Sequence, residues 1–193
     1  MKVLIIIDMQ YDFIDGSLGT PEAEAIIPKI VEKINGADED TVIIFTKDTH
    51  YADYLKTQEG EHLPIPHCIR ETNGWNIHKD VRAAWLAKEG RFVISQEVFD
   101  IEENNTIEKE TFGSLKLGEL LTKMDMFSIE IDEVEICGIC TDICVISNAM
   151  IVKNCLPETT ITIDSSCCAG TTPEGHKTAL DAMKACQINV IGE

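Results

Sequence analysis

The sequence predicts a doubly wound α/β fold with three layers, in which a mostly parallel six-stranded sheet carries helices on both faces. Short β-branched runs alternate with helical patterns along the whole chain. Several of these runs are apolar with little alternation, as expected for strands covered on both faces. The 193 residues, 44% of them hydrophobic, suit one domain with a full core, so residues 1–193 are expected to form a single domain.

Six runs rich in β-branched and aromatic residues qualify as strands because each is short and flanked by polar or turn-forming residues. In chain order they are KVLIII (2–7), TVIIFT (41–46), RFVISQ (91–96), EVEICG (133–138), TTITID (159–164) and INVI (188–191).

Helical patterns fill most of the intervals between these strands. The first and the last of them open with a proline and a nearby glutamate, PEAEA and TPEG, a combination typical of helix N-termini. The predicted helices span 22–35, 78–89, 115–122, 141–154 and 173–186.

One interval is different, because residues 47–77 form a long polar stretch rich in His, Gly and Pro after the second strand. Loops of this length are uncommon in compact domains unless they have a function. We therefore expect this loop to contribute to a binding site.

Composition excludes several classes of partner. The 16 basic and 34 acidic residues give a net charge of -18, which disfavours nucleic acid and anionic membranes. The apolar run before Asp8 is too short for a signal-peptide core, and no stretch is long enough to span a membrane. Eight cysteines without a secretion signal indicate reduced thiols, so a cytoplasmic location is expected.

Polar and nucleophilic residues gather where the predicted strands end. Asp8 follows the first strand, Asp48 and His50 follow the second, Lys109 lies beyond the third, and three cysteines follow the fourth. In a parallel α/β sheet, ligands bind outside the carboxyl ends of the strands. An acid, a lysine and a thiol brought together there make an activated nucleophile, because the cation favours the thiolate and the carboxylate accepts its proton.

The three cysteines lie in CGICTDICV, residues 137–145, and this stretch alone leaves several interpretations open. Cys137 and Cys140 have the C-x-x-C spacing of a thioredoxin-like dithiol. A zinc site made of cysteines, or simple core packing of small thiols, are further alternatives. Cys144 would lie in the first turn of a helix, where the helix dipole stabilises a thiolate.

Four stretches resemble the isochorismatase-like cysteine hydrolase superfamily, and the resemblance extends over almost the whole chain. They are IDMQYDF after the first strand, DTH after the second, GICTDICV after the fourth, and DSSCCAGTTPEGHKTAL near the C-terminus. The resemblance implies the same α/β fold and a triad of Asp8, Lys109 and Cys144. The family's Tyr-Ser-Ala-Phe after the lysine is degraded here to Phe112–Leu115, which leaves Lys116 as the alternative lysine.

The resemblance implies further details around the nucleophile. A non-proline cis peptide is expected between Ile139 and Cys140, and the backbone N–H groups of Cys140 and Cys144 are expected to form an oxyanion hole. Asp142 and Thr141 are expected to cap the following helix. His176 is expected to be structural or to lie at a subunit contact.

The long loop resembles the metal-binding loop of the nicotinamidase branch of this superfamily. By itself an Asp-x-His pair with scattered histidines is equally compatible with exposed loop residues. With the resemblance, Asp48, His50, Glu59 and His67 match a metal site for a divalent ion, zinc first, with iron or manganese admissible. His62 has no counterpart in that set.

The resemblance to nicotinamidases implies a cysteine-dependent hydrolase that converts nicotinamide to nicotinate and ammonia through a thioester. Phe13 is expected to stack beside the substrate ring, and Trp75 or Leu63 to complete the pocket, since Pro64 replaces a tryptophan of the family. The alternatives are hydrolysis of another small amide, such as a carbamoyl or ureido compound, or a non-catalytic binding protein. Relatives often form homo-oligomers, so the resemblance allows a homo-oligomer here as well.

Overall fold

The computed structural model describes residues 1–88, 93–95, 105–126 and 130–193. Its centre is a six-stranded sheet in the order β3-β2-β1-β4-β5-β6, and every neighbouring pair is parallel. The strands are β1 (Lys2–Ile7), β2 (Val42–Asp48), β3 (Thr106–Lys109), β4 (Glu133–Ile139), β5 (Thr160–Ala169) and β6 (Asn189–Ile191).

Helices cover both faces of this sheet, which gives the predicted three-layer arrangement. They are α1 (Tyr11–Ile14), α2 (Pro21–Gly36), α3 (Gln58–His62), α4 (Lys79–Ala87), α5 (Leu115–Met126), α6 (Ile146–Cys155) and α7 (Pro173–Ala185). Helix α2 packs with α4 and against β4 and β5, whereas α6 packs against both α5 and α7. A short 3-10 turn (Tyr54–Lys56) precedes α3, and a π-helical turn (Thr141–Val145) precedes α6.

The two helices predicted from a proline and a nearby glutamate begin at those prolines, Pro21 and Pro173, and each also has a threonine cap that the sequence analysis did not single out. Thr20 accepts a hydrogen bond from the backbone of Ala23, and Thr172 accepts one from Gly175, in each case just before the helix proline. These caps satisfy backbone donors that the first turn of a helix leaves without partners. Within the described ranges, every helix is too short or too polar to cross a membrane.

The third strand was predicted at the wrong place. Residues 93–95 form no strand, and 91, 92 and 96 lie outside the described residues; the strand beside β2 is Thr106–Lys109. Ile94 is nevertheless buried, and its backbone N–H donates to the Asn105 side chain at 2.8 Å. Of the described residues of this run only Ile94 is buried, whereas Val93 is exposed, so the apolar pattern here did not identify a strand. Lys109 is consequently the last residue of a strand and not a residue beyond one.

Candidate active site

The carboxyl ends of four adjacent strands, β3, β2, β1 and β4, bring the predicted residues together. Asp8 follows β1, Asp48 ends β2, Lys109 ends β3, and Cys144 lies in the π-helical turn after β4. Strands β2 and β3 are in register with Asp48 beside Lys109, so those two side chains share one face of the sheet. All four residues are buried.

The exit of β4 has an unusual backbone. Gly138 has a φ of +125°, and a Cβ there would lie 2.1 Å from the carbonyl oxygen of Ile7, so only glycine fits. The predicted cis peptide between Ile139 and Cys140 is present, which confirms that expectation. The chain then turns directly into the segment that carries Cys144.

Lys109 is the centre of the polar cluster. Its Nζ lies 2.7 Å from Asp8 Oδ2, 3.1 Å from Asp48 Oδ1 and 3.6 Å from Cys144 Sγ. The lysine side chain is only 2% exposed, so these contacts are made away from water. In such surroundings charge–charge interactions are stronger than at the surface.

The surroundings set the protonation of this cluster. Burial raises the pKa of Asp8, although the nearby Lys109 ammonium lowers it, and the net result is a carboxyl with a raised pKa. Burial also raises the pKa of the Cys144 thiol well above its usual value, against the lowering effect of Lys109. Lys109 itself stays charged, because Asp8, Cys144 and Asp48 raise its pKa more than burial lowers it. The cluster therefore combines a protonated thiol, a fixed cation and a carboxyl suited to accept a proton.

Thr46 holds the Asp8 carboxyl in place. The Thr46 hydroxyl donates to Asp8 Oδ1 at 2.7 Å, while the other oxygen, Oδ2, faces Lys109. Thr46 lies on the same face of β2 as Asp48, two residues before it. The acid is thus oriented from two sides before any substrate enters.

The loop between β2 and α4 brings the four predicted metal-binding residues together. Asp48 Oδ2 lies 2.9 Å from His50 Nε2 and 3.5 Å from His67 Nε2. Glu59 Oε1 lies 3.7 Å from each of these two nitrogens. His62, in contrast, is exposed and contacts the carbonyl of Gln58 through Nδ1.

The donor atoms of this cluster fit a divalent cation. Four ligands placed about 2.1 Å from a tetrahedral ion are about 3.4 Å apart, close to the spacing found here. His50 Nε2 is buried, and within the described residues it makes no hydrogen bond of good geometry despite its proximity to Asp48. The other nitrogen of His67, Nδ1, contacts the Ile65 carbonyl at 2.9 Å, an arrangement that fixes the ring and leaves Nε2 as ligand.

Asp48 is suited to serve as a ligand because it stays ionised. Burial raises its pKa, but Lys109 and the two histidines lower it further, and the net shift is downward. Its two oxygens have different partners, since Oδ1 faces Lys109 and Oδ2 faces His50 and His67.

A cavity of about 320 Å³ separates the nucleophile from the metal-binding cluster. Phe13, predicted to stack on the substrate, lines it, and its ring centroid lies 5.4 Å from that of His67. The other lining residues are Leu18, Thr20, Asp48, Glu59, Leu63, His67, Phe112, Ile139, Cys140, Ile143, Cys144, Gly170 and Thr171. Its size is at the lower end of the range of small-molecule sites.

Of the two residues proposed to complete this pocket, the structure selects Leu63. Trp75 does not line it, because its indole N–H donates to the Thr49 hydroxyl at 2.8 Å and its ring faces Lys47. Phe112 also lines the cavity and is 44% exposed. The sequence analysis had used this residue only to align Lys109 with the family and had not predicted it in the pocket. Its position three residues after Lys109 was the sequence signal that could have identified it.

Gln10 was also missed by the sequence analysis. It is fully buried, and its side chain holds the main chain of Asp48 at both ends: Oε1 accepts from Asp48 N at 2.7 Å, and Nε2 donates to Asp48 O at 2.8 Å. Nε2 also donates to the carbonyl of Trp75 at 2.8 Å. This amide ties the end of β2 to the loop that follows. A buried glutamine two residues after Asp8 was its only sequence signal.

The expectation that Asp142 and Thr141 cap the next helix is wrong. Asp142 accepts from the backbone and the hydroxyl of Thr171, and so fastens the segment after β5 to the nucleophile turn. The hydroxyl of Thr141 contacts His176 Nδ1 at 2.8 Å, and Ser165 contacts the other ring nitrogen at 3.1 Å. His176 is therefore a structural bridge between three elements.

Comparisons with known proteins were made for the sequence and for the fold. A model of the isochorismatase domain family matches residues 2–192. The nicotinamidase of Saccharomyces cerevisiae is 27% identical over 220 residues, an alignment that covers 99% of this chain and 99% of the yeast protein.

Solved structures with similar folds include two proteins described as pyrazinamidases. The pyrazinamidase of Pyrococcus horikoshii in complex with zinc has a TM-score of 0.73 and 26% identity, covering 100% of this chain and 99% of that one. The pyrazinamidase/nicotinamidase of Streptococcus mutans has a TM-score of 0.77 and 26% identity, covering 99% of this chain and 100% of that one.

Proposed function

The chain belongs to the isochorismatase family, and from that membership we propose that it hydrolyses nicotinamide to nicotinate and ammonia. It is a hydrolase of amide C–N bonds, of the kind that its nicotinamidase relatives represent. Two details are part of the proposal: nicotinamide is the substrate, and Cys144 is the covalent nucleophile.

One observation carries this proposal more than any other. A single buried ammonium, Lys109 Nζ, contacts the Cys144 thiol, the Asp8 carboxyl and the Asp48 carboxyl at 2.7–3.6 Å. Cys144 and Asp48 also line the cavity. A buried cation shared by a thiol and an acid of raised pKa is the arrangement that activates a sulfur nucleophile. Simple core packing would not need the two charged partners.

In the proposed acylation step, the Cys144 thiol transfers its proton to Asp8, and Lys109 stabilises the resulting thiolate. The sulfur forms a bond to the carboxamide carbon while the carbonyl electrons move to oxygen. Backbone N–H groups of Cys140 and Cys144 are proposed to stabilise that oxyanion. The C–N bond then breaks as Asp8 returns the proton to nitrogen, so ammonia leaves and a thioester on Cys144 remains.

Deacylation uses the same residues, with water as the nucleophile and the Cys144 sulfur as the leaving group. Asp8 accepts a proton from water as the water oxygen attacks the thioester carbon. The C–S bond then breaks, the sulfur regains a proton through Asp8, and nicotinic acid leaves and releases its remaining acidic proton to solvent to give nicotinate. Only one acid–base residue is required, because the proton taken up in each half-reaction is returned within it.

Asp48, His50, Glu59 and His67 are proposed to hold a divalent ion beside the cavity, which Asp48, Glu59 and His67 line. When bound, such an ion supplies a Lewis-acidic position for the ring nitrogen of the substrate. We favour zinc, since the Pyrococcus horikoshii structure is a zinc complex, while iron and manganese suit the same donors. Phe13 is proposed to contact the ring face and so to orient the carboxamide toward Cys144.

The direct experiment is to incubate the purified protein with nicotinamide and to measure ammonia and nicotinate together. We expect the two products in equal amounts, and a thioester on Cys144 visible by mass spectrometry after rapid quenching. A carbamoyl or ureido compound tested in parallel serves as the comparison. Turnover of that compound with none of nicotinamide would contradict the substrate assignment while retaining the nucleophile.

We also infer that the chain functions as one domain in the cytoplasm. Support comes from the eight cysteines, all within the described ranges, none of which forms a disulfide. Self-assembly stays a prediction from the resemblance.

A further inference from the structure

A cavity of about 850 Å³ adjoins the metal-binding cluster, and we call it the outer cavity. The smaller cavity beside Cys144 is called the inner cavity. The two cavities have four described lining residues in common, Glu59, Leu63, Phe112 and Ile143. They therefore meet along one shared wall, and Glu59 of the metal-binding cluster is part of that wall.

The metal-binding cluster borders both cavities. Asp48 and His67 line the inner cavity, His50 lines the outer cavity, and Glu59 lines both. The donor atoms of the two acids lie 2.9–3.7 Å from those of the two histidines. An ion held by these four residues would thus be next to both cavities, and the chemistry of the two walls decides by which of them it arrives.

The outer cavity is lined by acids. They are Asp53, Glu59 and Glu110, and no lysine or arginine occurs among the described residues that line this cavity. Asp53 and Glu110 are exposed, so their carboxylates lie where the cavity meets solvent. A cleft lined by charges of one sign raises the local concentration of the opposite ion and the rate at which that ion associates.

The inner cavity is less suited to the passage of a dication. Its walls include the apolar side chains of Phe13, Leu18 and Ile139, which line only this cavity. A charge that moves along apolar surface loses hydration without gaining polar partners. The outer cavity, in contrast, offers the hydroxyl oxygens of Tyr51 and Thr111 besides its carboxylates.

A buried nitrogen on the wall of the outer cavity independently indicates a cation. His50 is only 6% exposed, and within the described part of the chain its Nε2 makes no hydrogen bond of good geometry. Its ring is held against that of Tyr54, which lines the same cavity, with a centroid distance of 4.7 Å. Buried polar atoms are normally paired, and a cation bound between His50 and Glu59 would satisfy this one.

We propose that the outer cavity is the route by which the divalent ion reaches the metal-binding cluster. Asp53 and Glu110 attract the ion at the opening, and His50 and Glu59 are the first ligands that it meets. The inner cavity, with its apolar walls, is left to the amide substrate. This inference rests on the proposed metal site, but it does not depend on which amide is hydrolysed.

The test measures how fast zinc binds to the full-length chain. The protein is first treated with a chelator, and circular dichroism verifies that it stays folded. Zinc is then mixed with it in a stopped-flow instrument, with a fluorescent indicator for free zinc, at about 0.01 M and about 1 M ionic strength. His50→Ala identifies the binding phase that belongs to the cluster, because this variant lacks one of the four ligands.

Asp53→Asn/Glu110→Gln is the variant of the cavity opening. Glu39→Gln/Asp40→Asn is the matched control, since it removes the same number of acids from exposed positions before β2, at the opposite end of that strand from Asp48. Both variants keep all four proposed ligands. They therefore change the charge on the path of the ion and not the set of donors.

At low ionic strength we expect the opening variant to bind zinc about fivefold or more slowly than wild type, with an unchanged rate of release to excess chelator. The control should bind at the wild-type rate. At high ionic strength the difference should largely disappear, because salt screens charges at exposed positions.

Two kinds of failure are distinguishable. If wild type binds about one zinc but the opening variant binds it equally fast, or no more slowly than the control, the route is wrong and the metal site stands. A slower rate that salt does not screen, or a change confined to release, would also overturn the route. If wild type has no binding phase that His50→Ala removes, the proposed metal site itself is wrong, and the route with it.

Discussion

Asp48 joins the two halves of the candidate active site through a single side chain. One carboxylate oxygen contacts Lys109 of the acid–base cluster, and the other contacts His50 and His67 of the metal-binding cluster. Gln10 holds the Asp48 backbone on both sides, so this carboxylate has little freedom to move. The nucleophile and the proposed ion are therefore positioned relative to each other by one residue.

At this scale the first prediction concerns the nucleophile. Cys144→Ala should abolish nicotinamide hydrolysis, because only its sulfur contacts the Lys109 ammonium, whereas Cys137→Ala and Cys140→Ala should retain most of it. Cys137 is buried within β4, and alanine at 140 keeps the backbone N–H proposed for the oxyanion hole. Ammonia release is the measurement. Full activity in Cys144→Ala with loss in Cys140→Ala would assign the nucleophile to the other cysteine.

The second prediction concerns the lysine. Lys109→Ala should lower kcat/KM by about a hundredfold or more, since it removes the cation that stabilises the thiolate. It should also destabilise the protein, because Asp8 and Asp48 would be left buried without their shared partner. Lys116→Ala, a change at an exposed position of α5, is the matched control and should keep the wild-type rate.

Thermal unfolding followed by circular dichroism would show that Lys109→Ala remains folded at the assay temperature. A folded Lys109→Ala protein with an unchanged rate would contradict the proposed role. Loss of activity in Lys116→Ala instead would favour the alternative lysine.

At the scale of elements, the segment between β2 and α4 has two roles. Its first part, Tyr54–Lys56 and α3, brings Glu59 toward His50. Its later part brings His67 back to the end of β2, where the backbone N–H of His50 donates a hydrogen bond to the carbonyl of Cys68. Residues 70–77 then turn to the opposite side of β2, where the Trp75 ring packs against Lys47. The sequence could show that this loop was long and polar, but not that its two parts lie on opposite sides of β2.

The third prediction concerns this loop. The purified protein should contain about one equivalent of a divalent transition metal, and His50→Ala should lower metal content and activity together while the sheet stays folded. His62→Ala is the matched control, because His62 lies in the same loop but outside the cluster. Elemental analysis gives the metal content and circular dichroism the fold. Full activity in a metal-free protein would contradict the nicotinamidase assignment.

The third strand shows where sequence reasoning at the scale of elements fails. RFVISQ has a stronger apolar pattern than TIEK, yet TIEK pairs with β2. An edge strand needs only one neighbour and can be short and polar, so its pattern is weak. The pairing of Lys47 with Glu108 and of Asp48 with Lys109 is a long-range register that no local pattern encodes.

At the scale of the whole molecule, the sheet architecture and the residues at its carboxyl edge were predictable. Apolar strands alternating with capped helices require a parallel sheet, and a parallel sheet brings Asp8, Asp48, Lys109 and Cys144 to one edge. The proximity of Lys47, Arg70, Lys79 and Arg82 on the other face of β2 and β3 was not predictable, because these residues are scattered through the sequence. Their proximity depends on the folding of the long loop.

A partly buried ion cluster of Lys33, Glu135 and Asp164 links stability to pH. Lys33 of α2 forms ion pairs with Glu135 of β4 and, at 2.7 Å, with Asp164 of β5. Burial raises the pKa of Asp164, but its hydrogen bonds with Lys33 and Ser166 lower it further, so the net shift is downward. A carboxyl whose pKa is lower in the folded state contributes stability above its unfolded pKa, and that contribution is lost as the pH falls through the folded pKa.

The fourth prediction follows from the lowered pKa of Asp164 in the folded state. Lys33→Met should lower the free energy of unfolding at pH 7 by about 1–2 kcal/mol, because Glu135 and Asp164 lose their common cation while partly buried. The difference from wild type should shrink below the ordinary aspartate pKa of 3.8, since a protonated Asp164 no longer needs the cation. Urea unfolding at pH 7 and pH 3 measures both values. Lys177→Met removes an exposed pair with Asp181 and is the control, so its free energy of unfolding should differ little from wild type at either pH. If Lys33→Met lowers the free energy of unfolding by the same amount at pH 3 as at pH 7, the packing of the lysine stem, and not its charge, stabilises the helix on the sheet.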